Sequence, residues 1–354
     1  MKITANMVTI LRIVLMPIPG YLLYGDESNL LFALFWVAIL GLTDWLDGVM
    51  ARKEGPTVLG GLLDPIADKI FIAVIYLPLT DRGIIPIWLT AAIFARDFVV
   101  TTLRTSLSLR DAPMRTATLA KYKTAIQMVG IGYVILYLAH ESTPDALLVW
   151  LVITVPYVIP ISVILGRFIK KQKQGPRSIT MLCLMTYCVG MRYYLGPQLS
   201  IDITVYVIGG LTVVSGFSYL IDAYSALKGA AGSIKELFRF IVEGVMVPVL
   251  YIALLSRYNT SFMSAAIILV ITLELAVGGL GNLLASKKIV QRFNVAVLRA
   301  LLQTGLAATA LILGIESDFS HTLGEVCITL GLLVTLAYTA GTFIHHRKSY
   351  LASI

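Results

Sequence analysis

Four aspartates on two neighbouring segments are the residues of this 354-residue chain best suited to chemistry. Asp44 and Asp47 are three positions apart, and Asp64 and Asp68 are four positions apart. On an α-helix these spacings place each pair on one face, with a rise of about 4.5 Å and about 6 Å between its members. Two helices joined by a short loop would therefore bring two acidic faces together.

Carboxylate clusters of this kind suit Mg²⁺, Mn²⁺ or Ca²⁺, which prefer oxygen ligands. An ionised carboxylate at the centre of a membrane span costs about 2.5–3.5 kcal/mol on insertion scales, so a cluster near the interface needs compensating positive charge. Two divalent ions would balance the four charges and leave room for substrate phosphates. The alternative is that the carboxylates pair with Arg52, Lys53 and Lys69 or cap helix ends; the pattern favours the metal site.

The segments that carry these aspartates are apolar enough to be membrane helices. Hydrophobic residues make up 58% of the chain and charged residues 14%, against about 45–50% and about 25% in soluble domains. Mean hydropathy is +0.85. Continuous apolar runs of about 20 residues match a spanning helix, whereas a transmembrane β-barrel uses alternating segments of about ten. We therefore predict an all-α, polytopic transmembrane bundle and exclude soluble enzymes, nucleic-acid-binding proteins and disordered scaffolds.

The apolar runs predict twelve spans, and the charges between them predict their orientation. The spans lie near residues 6–25, 30–50, 62–80, 84–108, 118–140, 147–169, 179–196, 203–227, 236–256, 262–285, 293–314 and 323–345. With a cytoplasmic N-terminus, seventeen lysines and arginines fall on the inner side, and the outer loops hold only Arg82 and Arg257. This positive-inside pattern predicts that both termini and the acidic loop are cytoplasmic.

The aspartates belong to a longer pattern, Asp-x2-Asp-Gly-x2-Ala-Arg followed by Gly-x3-Asp-x3-Asp. Its fixed positions are filled by Asp44, Asp47, Gly48, Ala51, Arg52, Gly60, Asp64 and Asp68. This stretch resembles the signature of the CDP-alcohol phosphotransferase family. One departure is the spacer between the two halves, which has seven residues, Lys53 to Leu59, where the family pattern has about eight.

The resemblance implies a role for each residue of the pattern. Two Mg²⁺ or Mn²⁺ ions are held by Asp44, Asp47, Asp64 and Asp68. Asp68 is also the catalytic base, which deprotonates an acceptor alcohol that attacks the β-phosphorus of a CDP-linked lipid and expels CMP. The CDP-lipid is bound by Gly48, Ala51, Arg52 and Gly60. These residue types fit, because glycine admits a nucleotide close to the backbone and arginine holds a diphosphate with a fixed fork; close helix packing is the alternative for the glycines.

A second set of candidate residues is cationic: Arg96, Arg104, Lys121 and Lys123. Cations at membrane depth require anionic partners. Together with the opening Asn6-x2-Thr9-x2-Arg12, the elements around these residues resemble the phosphatidylglycerophosphate synthases of the family, whose acceptor is glycerol 3-phosphate. On that resemblance the four cations surround the acceptor phosphate.

Other acceptors and other classes of protein remain open at this point. Asp97 stands where those synthases usually have Glu, and the cardiolipin synthases, whose acceptor is phosphatidylglycerol, often have Arg-Asp there. An inositol phosphate is a further acceptor, and Lys121 and Lys123 are also explained as positive-inside residues that snorkel to the membrane surface. A secondary transporter is the distant alternative, disfavoured because the carboxylates cluster around one loop and no two halves of the chain are related.

The chain is longer than the family core of about six spans. We predict a membrane domain over residues 1–228, with a possible inserted hairpin at 141–200, and an additional four-helix region over 229–354 of unknown function. Within that region Glu274 lies mid-span, either as a site residue or paired with Arg299. By resemblance, we expect a homodimer in a bacterial inner membrane, with CDP-diacylglycerol, glycerol 3-phosphate and membrane lipids as partners and no nucleic acid.

Overall fold

The structure is a computed structural model, described over most of the chain. The described residues are 4–55, 57–109, 118–140, 161–169, 179, 182–183, 186–187, 190, 194–227, 238, 240–258, 260–289, 293–314 and 318–351. Within them the chain is helical and contains no strand. The predicted all-α fold is confirmed.

The described helices are, in chain order, α1 (Ala5–Leu15), α2 (Pro17–Leu22), α3 (Glu27–Glu54), α4 (Val58–Asp81), α5 (Ile87–Leu109), α6 (Thr118–His140), α7 (Pro197–Leu227), a π-helical segment (Val242–Met246), α8 (Val247–Leu254), α9 (Ser261–Ser286), α10 (Phe293–Leu313), α11 (Asp318–His345) and α12 (Arg347–Leu351). Residues 161–169 are helical as well.

Six segments of the described residues are long and apolar enough to cross a membrane, where the sequence predicts twelve spans. They are Ala5–Leu22, Ser28–Glu54, Gln198–Phe217, Ser261–Ser286, Val295–Leu313 and Phe319–His345. Two shorter apolar helices are Ile126–Ala139 and Val242–Leu254. Helices α4 and α5 have the length of a span but carry several charged residues, and most of the predicted span 147–169 and much of 179–196 lie outside the described residues. The protein is an integral, multi-pass membrane protein.

The chain forms two compact units, each made from separate stretches of sequence. The first contains Met1–Gly20, Ile39–Arg115 and Gly216–Ile354, and the second contains Tyr21–Ala38 and Thr116–Ser215. All four aspartates of the acidic pattern therefore lie in the first unit, together with α8 to α11. The domain division at residue 228, and the hairpin at 141–200, stay predictions.

In the second unit, α6 packs closely against the first part of α7. Gly130 allows this approach, because a Cβ atom there would lie 2.6 Å from Ile208 Cδ1 and 3.3 Å from Thr204 Cγ2. The Gln127 side-chain amide donates a hydrogen bond to Thr212 Oγ1 at 3.2 Å. This buried amide is thereby satisfied inside an apolar contact.

In the first unit, Glu274 and Arg299 form a buried ion pair, as one of the two sequence-based alternatives expected. Arg299 Nη1 lies 2.7 Å and 2.6 Å from the two carboxylate oxygens of Glu274. Gln303 donates to Glu274 at 2.8 Å and to Thr335 at 2.5 Å, and the Tyr338 ring lies 4.4 Å from the guanidinium carbon. The pair thus joins α9, α10 and α11 within the apolar interior.

We predict that Glu274→Ala destabilises the protein by about 3–5 kcal/mol, because it removes the closest carboxylate from the buried Arg299 guanidinium and leaves that charge with the more distant Glu243, 3.9 Å away. Thermal unfolding of the purified protein in detergent measures the loss. Thr309→Ala is the control, since Thr309 is exposed and bonds only to the carbonyl of its own helix. The double variant, Glu274→Ala with Arg299→Met, should lose less stability than Glu274→Ala alone. Equal stability of Glu274→Ala and wild type would contradict the prediction.

Candidate active site

A tight turn brings the two acidic helices together. Helix α3 ends at Glu54, and Gly55 follows with a φ of +93°, a conformation that favours glycine and closes many helix ends. Thr57 then caps α4, its hydroxyl accepting a hydrogen bond from the Gly60 amide at 2.9 Å. The last turns of α3, with Asp44 and Asp47, therefore adjoin the first turns of α4.

Helix α1 supplies a hydroxyl that links the acidic faces of α3 and α4. Thr9 Oγ1 lies 3.0 Å from Asp47 Oδ2 and 3.4 Å from Asp64 Oδ1, and 3.2 Å from the Ala5 carbonyl. Thr9 is buried, with 1% of its surface exposed. A single hydroxyl is thus shared between one carboxylate of each aspartate pair.

Helix α1 also supplies a cation to the cluster, Arg12. Its guanidinium donates a hydrogen bond to Asp44 Oδ1, and its Nη2 atom lies 3.7 Å from Asp47 Oδ2 and 3.9 Å from Asp68 Oδ1. Arg12 and Asp47 are buried, whereas the side chains of Asp44 and Asp68 are 54% and 55% exposed. The cluster is therefore closed on the α1 side and open on the side of Asp44 and Asp68.

The N-terminal turn of α1 is held to the same loop. The Ala5 amide donates to the Glu54 carboxylate at 3.0 Å, and the Thr57 hydroxyl donates to the Asn6 side-chain oxygen at 3.1 Å. From the sequence, Asn6, Thr9 and Arg12 entered only as part of a resemblance and were not predicted to lie in the site. The signal was present, because these polar side chains recur every third residue in an otherwise apolar helix.

The donor set of the cluster fits a divalent cation in its chemistry. Carboxylate oxygens are the ligands that Mg²⁺ and Mn²⁺ prefer, and one guanidinium supplies a single positive charge against four carboxylates. Across the described ranges, however, no three His, Cys, Asp or Glu side chains are arranged to hold one metal ion. Metal binding by Asp44, Asp47, Asp64 and Asp68 therefore stays a prediction.

The predicted nucleotide-binding residues surround the turn between α3 and α4. Gly48 has open space beside it, since a Cβ atom there would meet only Arg52 Nη1, at 3.8 Å. Arg52 is exposed and Ala51 is half-buried. Gly60 is crowded, because a Cβ atom would lie 2.9 Å from Thr57 Oγ1 and 3.0 Å from Asn6 Oδ1. Close packing thus explains why residue 60 is glycine, whereas the face that carries Gly48 and Arg52 is accessible.

The predicted phosphate-binding cations differ in their surroundings. Arg96 pairs with Asp97 at 2.6 Å, and Gly216 gives it room, since a Cβ atom there would lie 2.8 Å from Arg96 Cγ. Arg104 is half-buried on the same helix. Lys121 and Lys123 lie on α6, but their side chains are outside the described residues. Binding of one phosphate by these four residues stays a prediction.

Comparisons with known proteins agree on one family. A family model described as CDP-alcohol phosphatidyltransferase matches residues 2–159. The chain is 40% identical to the cardiolipin synthase (CMP-forming) of Homo sapiens over 119 residues, 33% of this chain and 38% of that protein. It therefore spans well under half of that relative. No solved structure matches the chain.

Two bacterial relatives are covered over most of their length. The chain is 34% identical to the CDP-diacylglycerol--glycerol-3-phosphate 3-phosphatidyltransferase of Bacillus subtilis over 147 residues, 37% of this chain and 76% of that protein. It is also 34% identical to the protein of the same name from Pseudomonas fluorescens over 163 residues, 44% of this chain and 80% of that protein.

We predict that Thr9→Val lowers the stability of the protein by about 1–3 kcal/mol, because the shared hydroxyl is buried and its carboxylate partners are charged. Thr9→Ser keeps the hydroxyl and is the matched control. Thermal unfolding in detergent compares both variants with wild type. If Thr9→Val and Thr9→Ser unfold at the same temperature, the hydroxyl does not support the cluster.

Proposed function

Because the chain belongs to the CDP-alcohol phosphatidyltransferase family, we propose that it moves the phosphatidyl group of CDP-diacylglycerol to glycerol 3-phosphate and releases CMP. The observation that carries this proposal is the convergence of carboxylates from α3 and α4 on the hydroxyl and guanidinium of α1. Such a cluster, open on one side, suits a reaction in which phosphate charge must be handled at a membrane surface.

The carboxylates of Asp44, Asp47, Asp64 and Asp68 would hold two divalent cations, Mg²⁺ or Mn²⁺. When bound, these cations supply positive charge for the transferring phosphate and the leaving group. Arg12 and Thr9 would set the orientation of the carboxylates, since they contact members of both pairs.

Asp68 is the residue proposed to act as the general base. Its carboxylate accepts the proton of the acceptor hydroxyl, and the hydroxyl oxygen forms a bond to the β-phosphorus of CDP-diacylglycerol. The bond from that phosphorus to the oxygen of CMP breaks, and CMP leaves with this oxygen. Base assistance is needed because a neutral alcohol is a poor nucleophile, and the half-exposed side chain of Asp68 is accessible to an acceptor.

The nucleotide would bind beside the turn between α3 and α4. Gly48 and Arg52 lie four residues apart on an accessible face, which lets a diphosphate approach the backbone while the guanidinium binds it. Ala51 and Gly60 would complete this contact, because neither carries a long side chain.

Glycerol 3-phosphate is the favoured acceptor for two reasons. Its use is named in the bacterial relatives that are matched over most of their length. A phosphorylated acceptor would also supply an anionic partner for four cations, which an uncharged alcohol would not. These are Arg96, Arg104, Lys121 and Lys123.

Phosphatidylglycerol, the acceptor of cardiolipin synthases, is the second candidate. The Arg96–Asp97 pair favours it, because a neighbouring carboxylate at 2.6 Å partly neutralises the guanidinium that would bind a free phosphate monoester. The match to the human cardiolipin synthase points the same way, over the part of that relative which the chain spans.

The remaining features concern the setting of the reaction. We propose that the protein lies in a bacterial inner membrane, with its termini and the acidic loop on the cytoplasmic side; the positive-inside pattern supports this orientation. A homodimer is proposed from family resemblance alone.

Purified protein with CDP-diacylglycerol, Mg²⁺ or Mn²⁺ and a panel of acceptors should release CMP with glycerol 3-phosphate. The product lipid, identified by mass spectrometry, separates this acceptor from phosphatidylglycerol and from inositol phosphates. Asp68→Asn should abolish turnover while the protein still unfolds cooperatively, because the amide cannot accept the proton. Absence of CMP release with every acceptor would overturn the proposal, and unchanged turnover in Asp68→Asn would remove the role of that residue.

We expect Arg104→Ala to raise the KM for glycerol 3-phosphate by roughly tenfold, since a charge-assisted hydrogen bond contributes about 1.5–3 kcal/mol. The KM for CDP-diacylglycerol should stay within about twofold of wild type. Arg82→Ala is the control, because Arg82 lies beyond the far end of α4. An increase in KM for CDP-diacylglycerol alone would instead assign Arg104 to the nucleotide-binding site.

A further inference from the structure

The C-terminal region packs directly on the helix that carries Asp64 and Asp68. Gly279 of α9 faces Ile66 of α4, and a Cβ atom at Gly279 would lie 2.9 Å from Ile66 Cδ1 and 3.7 Å from Ile66 Cβ. Ile66 is buried, with 4% of its surface exposed. Only glycine therefore fits at position 279 without moving α4 or the Ile66 side chain.

This contact falls where α4 is least able to hold its own shape. Pro65 is inside the helix and has no N–H, so it cannot donate to the Gly61 carbonyl one turn earlier. The weakened turn runs from Gly61 to Pro65; it contains Asp64 and ends one residue before Ile66. Because Ile66 directly follows this turn, a neighbouring helix that packs on Ile66 bears on the position of Asp64 relative to Asp68.

A second contact ties α9 to the residue next to Asp68. The Lys69 ammonium donates a hydrogen bond to Thr101 Oγ1 on α5. Gly278 packs on the same threonine, since a Cβ atom at Gly278 would lie 3.0 Å from Thr101 Cγ2. The two adjacent glycines thus contact α4 and α5 at one level of the bundle.

The seam between α9 and α5 continues along both helices and holds the glycines in register. Thr105 donates to Asn282 Oδ1 at 2.6 Å, one turn beyond Thr101 and Gly278. Lys288 Nζ then lies 3.0 Å from the Ser108 carbonyl and 3.3 Å from the next, at the end of α5. A lysine on the last carbonyls of a helix is a stabilising cap.

We propose that α9 is a positioning element of the active site, and that Gly279, through Ile66, sets the position of Asp64 and Asp68. The region after residue 229 then has a function in the transferase reaction itself. This inference rests on the proposed function for its kinetic readout, but its structural part stands on the contacts alone.

A disulfide tests the contact independently of activity. The Cβ separation of 3.7 Å between positions 66 and 279 is typical of a disulfide. In the full chain with Cys183, Cys188 and Cys327 replaced by Ser, Ile66→Cys with Gly279→Cys should cross-link under mild oxidation in membranes. Ile66→Cys with Gly305→Cys is the control and should not, and absence of the 66–279 cross-link would overturn the proposal.

A size exchange tests the function of the contact. Gly279→Ala should raise the Mn²⁺ concentration for half-maximal CMP release, or lower kcat, by about tenfold, because displacements of about 1 Å cost as much as about 100-fold in rate. Adding Ile66→Ala removes the overlapping atoms and should restore most of the loss. Gly305→Ala is the matched control, since nothing lies within 4 Å of that position.

Binding of Mn²⁺, followed by the electron paramagnetic resonance of the free ion, gives a readout that needs no turnover. Gly279→Ala should weaken this binding and the double variant should recover it. Wild-type Mn²⁺ binding and kinetics in Gly279→Ala, or a double variant no better than Gly279→Ala, would overturn the positioning role. Failure of wild type to release CMP would instead overturn the proposed function, and the cross-link and Mn²⁺ binding would still decide the role of α9.

Discussion

The site depends on a buried cation, Arg12, at the junction of three helices. In an apolar environment, carboxylates cannot stay ionised without a compensating charge nearby, and a buried guanidinium equally requires carboxylates. Arg12 contacts Asp44 of α3 directly and lies 3.9 Å from Asp68 of α4, so assembly of α1, α3 and α4 surrounds its buried charge with carboxylates from two helices. The tight turn at Gly55 and the cap at Thr57 bring the two acidic helices together, so that the Arg12 side chain reaches carboxylates of both.

Features that depend on neighbours in sequence were predictable. The spacing of Asp44 and Asp47 placed them on one helical face, and the short connection to α4 placed the second pair beside them. Apolar length likewise predicted the membrane helices of the described ranges. The polar residues that recur along α1 indicate a polar face, but they do not identify its partners, because about thirty to sixty residues separate Thr9 and Arg12 from the aspartates.

An ion pair between adjacent residues also changes the interpretation of a predicted site residue, Arg96. Arg96 was assigned to a phosphate by resemblance, in agreement with its charge and its depth in the membrane, yet the carboxylate of the adjacent residue Asp97 lies 2.6 Å from its guanidinium. Sequence alone does not say which rotamer an arginine takes, and a covalent neighbour competes with any ligand for the same guanidinium. For Glu274 and Arg299, pairing was one of the two alternatives predicted from the sequence, and the structure confirms it. The Arg299 guanidinium donates to both carboxylate oxygens of Glu274 between packed helices.

The packing of α9 against α4 supports the acidic helix close to its internal proline, Pro65. A proline in the acidic segment leaves the Gly61 carbonyl without its usual partner in the backbone ladder, which weakens the turn that contains Asp64. Rigid positioning of reacting groups requires support from outside such a segment. Small residues let two membrane helices approach closely enough to provide it, and the two consecutive glycines of α9 lie where α4 and α5 need that support. In this chain the additional helices therefore supply packing to the acidic helix at the residue that directly follows its proline.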